Sequence, residues 1–230
     1  MEFDIFTKTR QPGIIPLAPL SKSLWTCSVE AAIEYCRIVW DIFPTEKLIR
    51  FIVSDTSSLT LNSWSQDQQN LNHLMAALAQ VGPPQNVSGK ECNVIHGLNA
   101  AIEALCECSE IQHEKRTSMT ESAGKVVNRG RIICFTNVKS DLEVNSLVEC
   151  FQSALLEHNK LASSSDSLMI IQHCELVMMH VYPVNKESVI AHQPKKAFCS
   201  AKLSSSMLLK LEIYHLTDLH FAEPETLGER

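Results

Sequence analysis

Hydrophobic positions along the chain form two kinds of pattern, continuous apolar runs and runs with a helical period. Three segments are short, nearly continuous in apolar residues and rich in β-branched side chains, which is typical of strands buried on both faces. They are residues 47–55 (KLIRFIVSD), 131–138 (RIICFTNV) and 175–183 (ELVMMHVYP). The segment SSLTLNSW, residues 57–64, is interpreted as a second strand that forms a hairpin with the first.

Apolar side chains recur at three- and four-residue steps in five further segments, which predicts amphipathic helices. The predicted helices cover residues 23–43, 67–81, 92–116, 141–161 and 204–221. Local signals support their ends, because short polar side chains cap helix starts and proline stops a helix. Ser21 or Ser23 caps the first helix and Pro44 stops it, while Ser140 or Asp141 caps the fourth.

The remaining segments are polar and are predicted to be irregular. They are residues 85–91, which follow the sequence Gly82-Pro83-Pro84 at the end of the second helix, 117–129 and 186–202. The chain then divides into an irregular N-terminal segment (1–20), an α/β domain (21–185) and a linker with a terminal helix and frayed tail (186–230).

Apolar strands that alternate with amphipathic helices predict an α/β fold, a doubly wound and mostly parallel sheet with helices on both faces. One feature departs from this class. The alternation begins with a helix, whereas a doubly wound domain normally begins with its central strand. The opening residues MEFDI are too short and too charged for that strand. The first central strand is therefore expected to be missing from the chain.

Charge and composition exclude several classes of function. The formal net charge is −6 and the 20 Lys and Arg residues are scattered, so no basic face for direct nucleic-acid binding is expected. The N-terminus has no apolar run typical of a signal peptide. The longest apolar run, residues 168–182, is interrupted by polar side chains and is not predicted to cross a membrane. The nine cysteines are interpreted as reduced thiols.

No sequence pattern indicates an enzyme. The seven glycines are never spaced as G-x-G, and neither the P-loop pattern nor the G-x-S-x-G nucleophile elbow occurs. Several cysteines fall in apolar elements, where a thiol is expected to be inert packing. These are Cys36, Cys106, Cys134, Cys150 and Cys174. No catalytic residue and no cofactor site is predicted.

Cysteines and histidines at and after residue 106 are candidate zinc ligands by residue type. Cys106, Cys108 and His113 lie on one predicted helix, but positions two apart do not share a helix face. We therefore interpret Cys106 as a core residue and do not predict a zinc site, even with His173 and Cys174 nearby in the sequence. Of the other histidines, His96 is expected to be half-buried and His180 to lie in the core or against a helix.

Beyond these patterns, long strings resemble a known family. The order of elements resembles a von Willebrand type A domain. The strings TRQPGIIPLAPLSKSLWTCSVEAAIEYCRIVWDIFP, LMAALAQVGPP, HGLNAAIEAL, NRGRIICFTNVKSD, EHNKLA and CELVMMHVYPV are similar to the N-terminal region of the Asunder family, also called Integrator complex subunit 13. The resemblance covers residues 3–184. Family members have an upstream segment with the first strand of the domain, and they continue far beyond residue 230.

The resemblance also implies where a metal would be sought. Metal-binding A domains use a D-x-S-x-S loop, a Thr on a second loop and an Asp at a later strand tip, all hard oxygen ligands. In this chain Cys92-Asn93 corresponds to the Thr of the second loop. Asn137, whose side chain is a neutral amide, corresponds to the Asp at the later strand tip. We predict no metal site, and we interpret Asn137 as a strand-end residue that bonds its own loop backbone. The residues Asp55, Ser57 and Ser58 do not have the spacing of a D-x-S-x-S loop.

The family implies a non-enzymatic protein-interaction subunit of Integrator. Expected roles are 3′-end processing of small nuclear RNA, transcription attenuation, and mitotic and meiotic control with dynein at the nuclear envelope. Expected partners are the sister A-domain subunit 14 and subunit 10, in the nucleus and the cytoplasm, with no membrane. Two alternatives remain: a metal-dependent ligand-binding A domain, or a shortened product without independent function. In the last case the chain folds poorly unless MEFDIF or a partner strand fills the empty place in the sheet.

Overall fold

The computed structural model describes residues 2–5, 20–83, 93–118, 127–165, 167–183, 187–190, 199–204 and 207–215. Strands and helices alternate through most of these ranges. In chain order they are β1 (Glu2–Ile5), β2 (Leu20–Ser23), α1 (Leu24–Ile42), β3 (Ile52–Ser54), β4 (Ser58–Thr60), a 3₁₀ turn (Gln66–Gln68), α2 (Leu71–Val81), α3 (Val94–Cys106), α4 (Glu110–Ser118), β5 (Val127–Thr136), α5 (Asp141–Ser164), β6 (Ile170–His180), β7 (Cys199–Ser204) and β8 (Met207–His215).

The sheet is mostly parallel, which confirms the predicted α/β class. Its strand order is β5-β6-β8-β7, with β5, β6 and β8 parallel and β7 antiparallel at one edge. Strands β3 and β4 form a separate antiparallel hairpin, as predicted, although β3 is much shorter than residues 47–55. Strand β1, which lies in the segment 1–20 predicted to be irregular, pairs with β2 in a third, two-stranded unit.

Polar caps start the helices where the sequence indicates. The Ser23 hydroxyl oxygen accepts a hydrogen bond from the Thr26 N–H at 3.1 Å, which selects Ser23 over Ser21 as the cap of α1. Helix α1 ends before Pro44. Ser140 caps α5 in the same way by accepting from the Glu143 N–H at 3.2 Å. Because these bonds are local, the sequence alone indicates them.

The single helix predicted over residues 92–116 is wrong, because the structure has two helices there. Helix α3 ends at Cys106 and α4 begins at Glu110. The Ser109 N–H donates to the Gln112 side chain at 2.9 Å, and the Gln112 N–H donates to the Ser109 hydroxyl at 3.3 Å. This reciprocal pair is a capping box, which starts a new helix. Residues 107–109 therefore turn the chain between two amphipathic runs.

The terminal helix predicted over residues 204–221 is also wrong, because residues 207–215 form β8. This strand lies between β6 and β7, with Leu211 opposite Leu176 on one side and Cys199 on the other. Leu208 and Leu211 suggested a helical step, but Leu209, Leu211 and Ile213 alternate with polar residues at the period of a strand. Backbone pairing on both sides decides between these two readings. Residues 216–221 lie outside the described ranges.

Hydrophobic packing is divided between two clusters. The α3–α5 cluster joins those helices to β5 and β6, and it includes Leu98, Ile102, Leu105, Cys106, Ile132, Val144, Leu147, Phe151, Leu155, Cys174, Leu176 and Met178. The α1–α2 cluster joins those helices to β3, and it contains Cys36, Trp40, Val53, Leu61 and Leu74. A domain of this size usually has one contiguous core. The boundary between the two clusters runs between the β3–β4 hairpin and β5.

Candidate functional site

A large cleft separates β3 from β5. Its volume is about 1320 Å³, and both strands line it along their length. Helix α1 contributes one wall and α3 contributes the other. The cleft is therefore closed on two sides by helices and bounded on the other two by sheet edges.

Helix α3 contacts both edges at unusually close range. A Cβ atom placed on Gly97 of α3 would lie 2.7 Å from the Cβ of Ser54 in β3. At the other end of the helix, a Cβ atom on Gly130 of β5 would collide with the side chain of Leu105. A side chain at position 97 would meet the Ser54 Cβ, so the helix or the strand would have to shift, whereas a side chain at position 130 would meet the tips of Leu105, which would have to change rotamer. Helix α3 thereby sets the separation of β3 from β5.

The two α3 contacts also give the direction of the strands. The start of α3 lies against the C-terminal end of β3 at Ser54, and its end lies against the N-terminal part of β5 at Gly130. Since one straight helix makes both contacts, β3 and β5 run in the same direction on either side of the cleft.

Helix α1 forms the opposite wall and contacts both sides as well. Its Cys36 packs with Val53 of β3 in the α1–α2 cluster. Towards β5, Arg131 donates to the Glu175 carboxylate on β6 with an Nε–Oε2 distance of 2.5 Å, while Tyr35 of α1 lines the cleft. The Glu175 bond is the main reason that the pKa of Arg131 lies above its usual value.

Among the described residues, β3 and β5 each pair with another strand only on the side that faces away from the cleft. Strand β3 is bonded to β4, and β5 is bonded to β6. Alternate backbone groups of β5 point towards the cleft, because successive residues of a strand bond to opposite neighbours. Ile133 and Phe135 of β5 line the cleft and remain half-buried. Within the part of the chain that the structure describes, this edge therefore has main-chain donors and acceptors without a strand partner, beside apolar side chains.

The polar residues at the strand tips are engaged in structural hydrogen bonds. Asn137 donates through Nδ2 to the Val181 carbonyl oxygen at 2.6 Å, which joins the tips of β5 and β6. The acceptor Val181 directly follows β6 and does not belong to the loop after β5. The prediction that Asn137 bonds its own loop backbone is therefore wrong. The Asn93 side chain caps α3 by accepting from the Ile95 N–H at 2.9 Å. Cys92 lies outside the described residues.

Asp55 and the serines after it belong to the β3–β4 turn. The Asp55 N–H donates to the Ser57 carbonyl oxygen at 2.8 Å, and the Asp55 carbonyl oxygen accepts from the Asn93 N–H at 3.0 Å. Within the described ranges, no group of three or more His, Cys, Asp or Glu residues could hold a metal ion. The strand tips therefore present backbone turns fixed by hydrogen bonds.

Most of the cysteines considered as nucleophiles are buried. Burial raises the pKa of Cys36, Cys134 and Cys174 to about 12 and that of Cys106 to about 11, so these thiols stay protonated at neutral pH. Cys150 is an exception, because it is exposed on α5, contrary to the prediction that it packs in an apolar element.

The histidines divide in the same way. His180 is buried, accepts from the Val138 N–H at 3.4 Å and stacks on Tyr182, which confirms its predicted place in the core. His96 is exposed, so its predicted half-burial is wrong. Cys106 and Cys174 meet in the α3–α5 cluster, whereas His113 is exposed on α4.

No described helix is both long and apolar enough to cross a membrane.

These features define an α/β domain with a mostly parallel sheet and an open cleft between two sheet edges. Residues 1–221 match the family described as cell cycle and development regulator Mat89Bb, and the chain belongs to that family. It is 52% identical to Integrator complex subunit 13 of Xenopus tropicalis over 228 residues, covering 96% of the chain and 32% of the relative.

Other relatives carry the same names that the sequence resemblance indicated. The chain is 58% identical to Integrator complex subunit 13 of Mus musculus over 197 residues, covering 85% of the chain and 27% of the relative. It is 40% identical to protein asunder of Drosophila erecta over 198 residues, covering 84% of the chain and 28% of the relative. The resemblance to the Asunder family is thus confirmed. The chain spans about a third of these relatives' length or less.

Proposed function

We propose that the chain is a non-enzymatic protein-interaction subunit of the Integrator complex, with a von Willebrand type A-like fold. The observation that carries this proposal is its 58% identity to a relative named Integrator complex subunit 13 over 85% of the chain. Identity at this level over most of the chain is expected to keep surface positions as well as core positions. The same partner-binding surface is then expected in both proteins.

The proposal extends to partners and processes. The expected partners are the sister A-domain subunit 14 and subunit 10 of the complex. The expected processes are 3′-end formation of small nuclear RNA, transcription attenuation, and a cell-cycle role through dynein at the nuclear envelope. The expected location is the nucleus, with a cytoplasmic or perinuclear fraction. The family description as a cell cycle and development regulator supports the cell-cycle part.

The metal-dependent alternative has less support from the geometry. Asn137 and Asn93, which stand where the resemblance places two of the ligands, use their side chains to bond backbone groups. A metal would have to compete with both of these bonds. The other alternative, a chain without independent function, has support in the cleft, because among the described residues the facing edges of β3 and β5 have no strand partner, and a stable domain pairs such backbone groups.

Co-purification with the sister subunit tests the proposal. The tagged chain is co-expressed with subunit 14, isolated through the tag and passed over a size-exclusion column, and a stable 1:1 complex is expected. Leu155→Asp places a charge in the α3–α5 cluster and is expected to abolish the complex by unfolding the chain. Lys139→Ala, at an exposed position, is the matched control and is expected to retain it.

Two outcomes contradict the proposal. A monomeric, folded chain that fails to co-purify with subunit 14 argues against the interaction role itself. A chain that aggregates both alone and with subunit 14 favours the product without independent function. Circular dichroism on the isolated chain separates these two outcomes.

A further inference from the structure

Helix α1 exposes apolar side chains on its outer face, which is defined by Tyr35, Ile38 and Ile42. The two isoleucines are 43% and 61% exposed, and Tyr35, at the border with the cleft, is 37% exposed. These positions are three, four and seven residues apart, so they share one face of the helix. Within the described ranges, neither isoleucine lines the cleft or belongs to a hydrophobic cluster. The outer face is therefore a surface distinct from the gap between β3 and β5.

The opposite side of α1 already has its hydrophobic partners. Cys36 and Trp40 are buried there in the α1–α2 cluster. A surface helix usually has one apolar face and one polar face, whereas a helix that is apolar on opposite sides is usually covered on both. Single exposed apolar residues are ordinary, but three at the spacing of helix anchors indicate a binding surface. The outer face of α1 is thus an apolar surface that no hydrophobic cluster of the described residues covers.

Charged side chains along one flank of the outer face give it a net negative charge. The Arg37 guanidinium donates to the two Glu34 carboxylate oxygens at 2.6 and 2.8 Å, and to the Asp41 carboxylate at 2.8 Å. One cation therefore serves two carboxylates, and all three side chains are about half exposed. The flank is left with one negative charge in excess.

The charges at the two ends of α1 balance each other. Lys22 pairs with Glu30 at 2.7 Å near the start of the helix. Beyond its end, Glu46 is followed by Lys47, whose ammonium group lies 6.0 Å from the centre of the Phe43 ring. The excess carboxylate on the flank therefore sets the electrostatic preference of the outer face. A partner that presents a Lys or Arg there gains a contact that weakens with added salt.

We propose that the outer face of α1 binds an amphipathic helix of a partner protein, with apolar residues at the same spacing and a Lys or Arg beside them. Packing of two such helices buries both apolar faces, and the cation of the partner meets the flank that carries Glu34 and Asp41. A second copy of this chain fits less well, because each copy carries a net charge of −6 and the same anionic flank. The proposal is independent of the Integrator proposal, because it rests on this surface alone.

Synthetic helical peptides test the proposal directly. Each has about 18 residues, with leucines at the anchor spacing on an alanine-rich helix. The probe peptide has Lys and Arg beside the leucines, and the control peptide has Glu at the same positions. Fluorescence anisotropy of the labelled peptides measures their binding to the full chain. The basic peptide is expected to bind about tenfold more tightly than the acidic one at about 50 mM salt, and this difference is expected to shrink at about 1 M salt.

Variants of the chain separate specific binding from general attraction between opposite charges. Ile38→Asp combined with Ile42→Asp removes the apolar face while it adds negative charge, so the expected loss of about tenfold in affinity for the basic peptide has no electrostatic origin. Leu142→Asp, at an exposed apolar position on α5, is the matched control and is expected to leave binding unchanged. Asp41→Asn is expected to reduce the preference for the basic peptide, since it removes the excess carboxylate. Circular dichroism shows that each variant is folded.

Several outcomes overturn the proposal. It is lost if neither peptide binds saturably, if both bind equally well, or if the double aspartate variant binds as tightly as the wild type. A dimer of the unmodified chain that Ile42→Asp dissociates, measured by light scattering, assigns the face to a second copy. Slow thiol labelling of Ile42→Cys, compared with the exposed Cys150, assigns it to another segment of the same chain. If subunit 14 fails to co-purify while the basic peptide still binds, only the Integrator proposal is lost.

Discussion

The Ser54 side chain at the end of β3 connects that strand to the first turn of α3. Its hydroxyl oxygen accepts a hydrogen bond from the Gly97 N–H at 3.0 Å, and the same hydroxyl donates to the Asn93 carbonyl oxygen at 2.7 Å. Gly97 has no side chain that would prevent this approach. One serine thus fixes the helix to the strand at one edge of the cleft.

Removal of this hydroxyl is expected to destabilise the domain. Ser54→Ala leaves a part-buried N–H and carbonyl without their partner, so we expect the free energy of unfolding to fall by about 1 to 2 kcal/mol. Urea denaturation followed by circular dichroism measures the change. Ser58→Ala is the matched control, since Ser58 lies opposite Ser54 in the hairpin and is exposed, and it is expected to change stability by less than about 0.5 kcal/mol. Equal losses in the two variants would contradict the role of the Ser54 bridge.

A methyl group added at Gly130 is expected to disturb the packing of Leu105 against β5 and to destabilise the domain. In Gly130→Ala the new Cβ meets the Leu105 side chain, so α3 must move or Leu105 must leave its rotamer, at a cost of about 1 to 3 kcal/mol. Leu105→Ala alone should also destabilise, because it removes a buried side chain from the α3–α5 cluster. The double variant should be more stable than the sum of the two changes predicts. Strict additivity of the three measured free energies would show that the two residues do not interact.

Arg131 is expected to stabilise the domain more than its neighbour Arg129 does. Arg131 bonds to the largely buried Glu175 on β6, whereas Arg129 is exposed on the same strand. Because the Arg131 side chain is itself about half exposed, Arg131→Ala is expected to lower the free energy of unfolding by only about 1 to 2 kcal/mol. Arg129→Ala is expected to lie within about 0.5 kcal/mol of the wild type. Similar values for the two alanine variants would refute the bridging role.

Thiol labelling is expected to separate exposed cysteines from buried ones. At pH 8 the exposed Cys150 should react with iodoacetamide in the folded protein, while Cys36 and Cys174 should react only after denaturation. Burial raises the pKa of both of these thiols to about 12, so little thiolate is present, and access is blocked as well. Peptide mapping by mass spectrometry identifies the labelled positions, with Cys150→Ser as the control. Rapid labelling of Cys36 in the native protein would show that the α1–α2 cluster opens readily.

Divalent cations are expected to leave the melting temperature unchanged. A ligand bound by the native state alone must stabilise it, and the strand tips hold Asn93 and Asn137 in bonds to backbone groups. Differential scanning fluorimetry with millimolar Mg²⁺ or Mn²⁺ measures the shift, and sodium chloride at equal ionic strength is the control. A rise of several degrees with either metal, absent in the control, would favour the metal-dependent alternative.

The sequence by itself determined those features that depend on neighbours in the chain. Ser23, Pro44 and Ser140 mark helix ends because capping and termination act within one turn, and the structure places those ends within a residue or two of the prediction. The Ser109–Gln112 capping box was also present in the sequence, although the apolar spacing across it suggested one long helix. The strands β5 and β6 were recognisable because burial on both faces leaves a continuous apolar run.

Only the tertiary structure decided the features that depend on distant partners. Residues 207–215 fit both a helical and a strand period, and pairing with β6 and β7 selected the strand. Asn137 bonds to Val181 across the tip of the neighbouring strand, a contact between residues 44 positions apart. The cleft likewise depends on where α3 meets Ser54 and Gly130. Such contacts are set by packing between segments far apart in the chain, so no local pattern of residues specifies them.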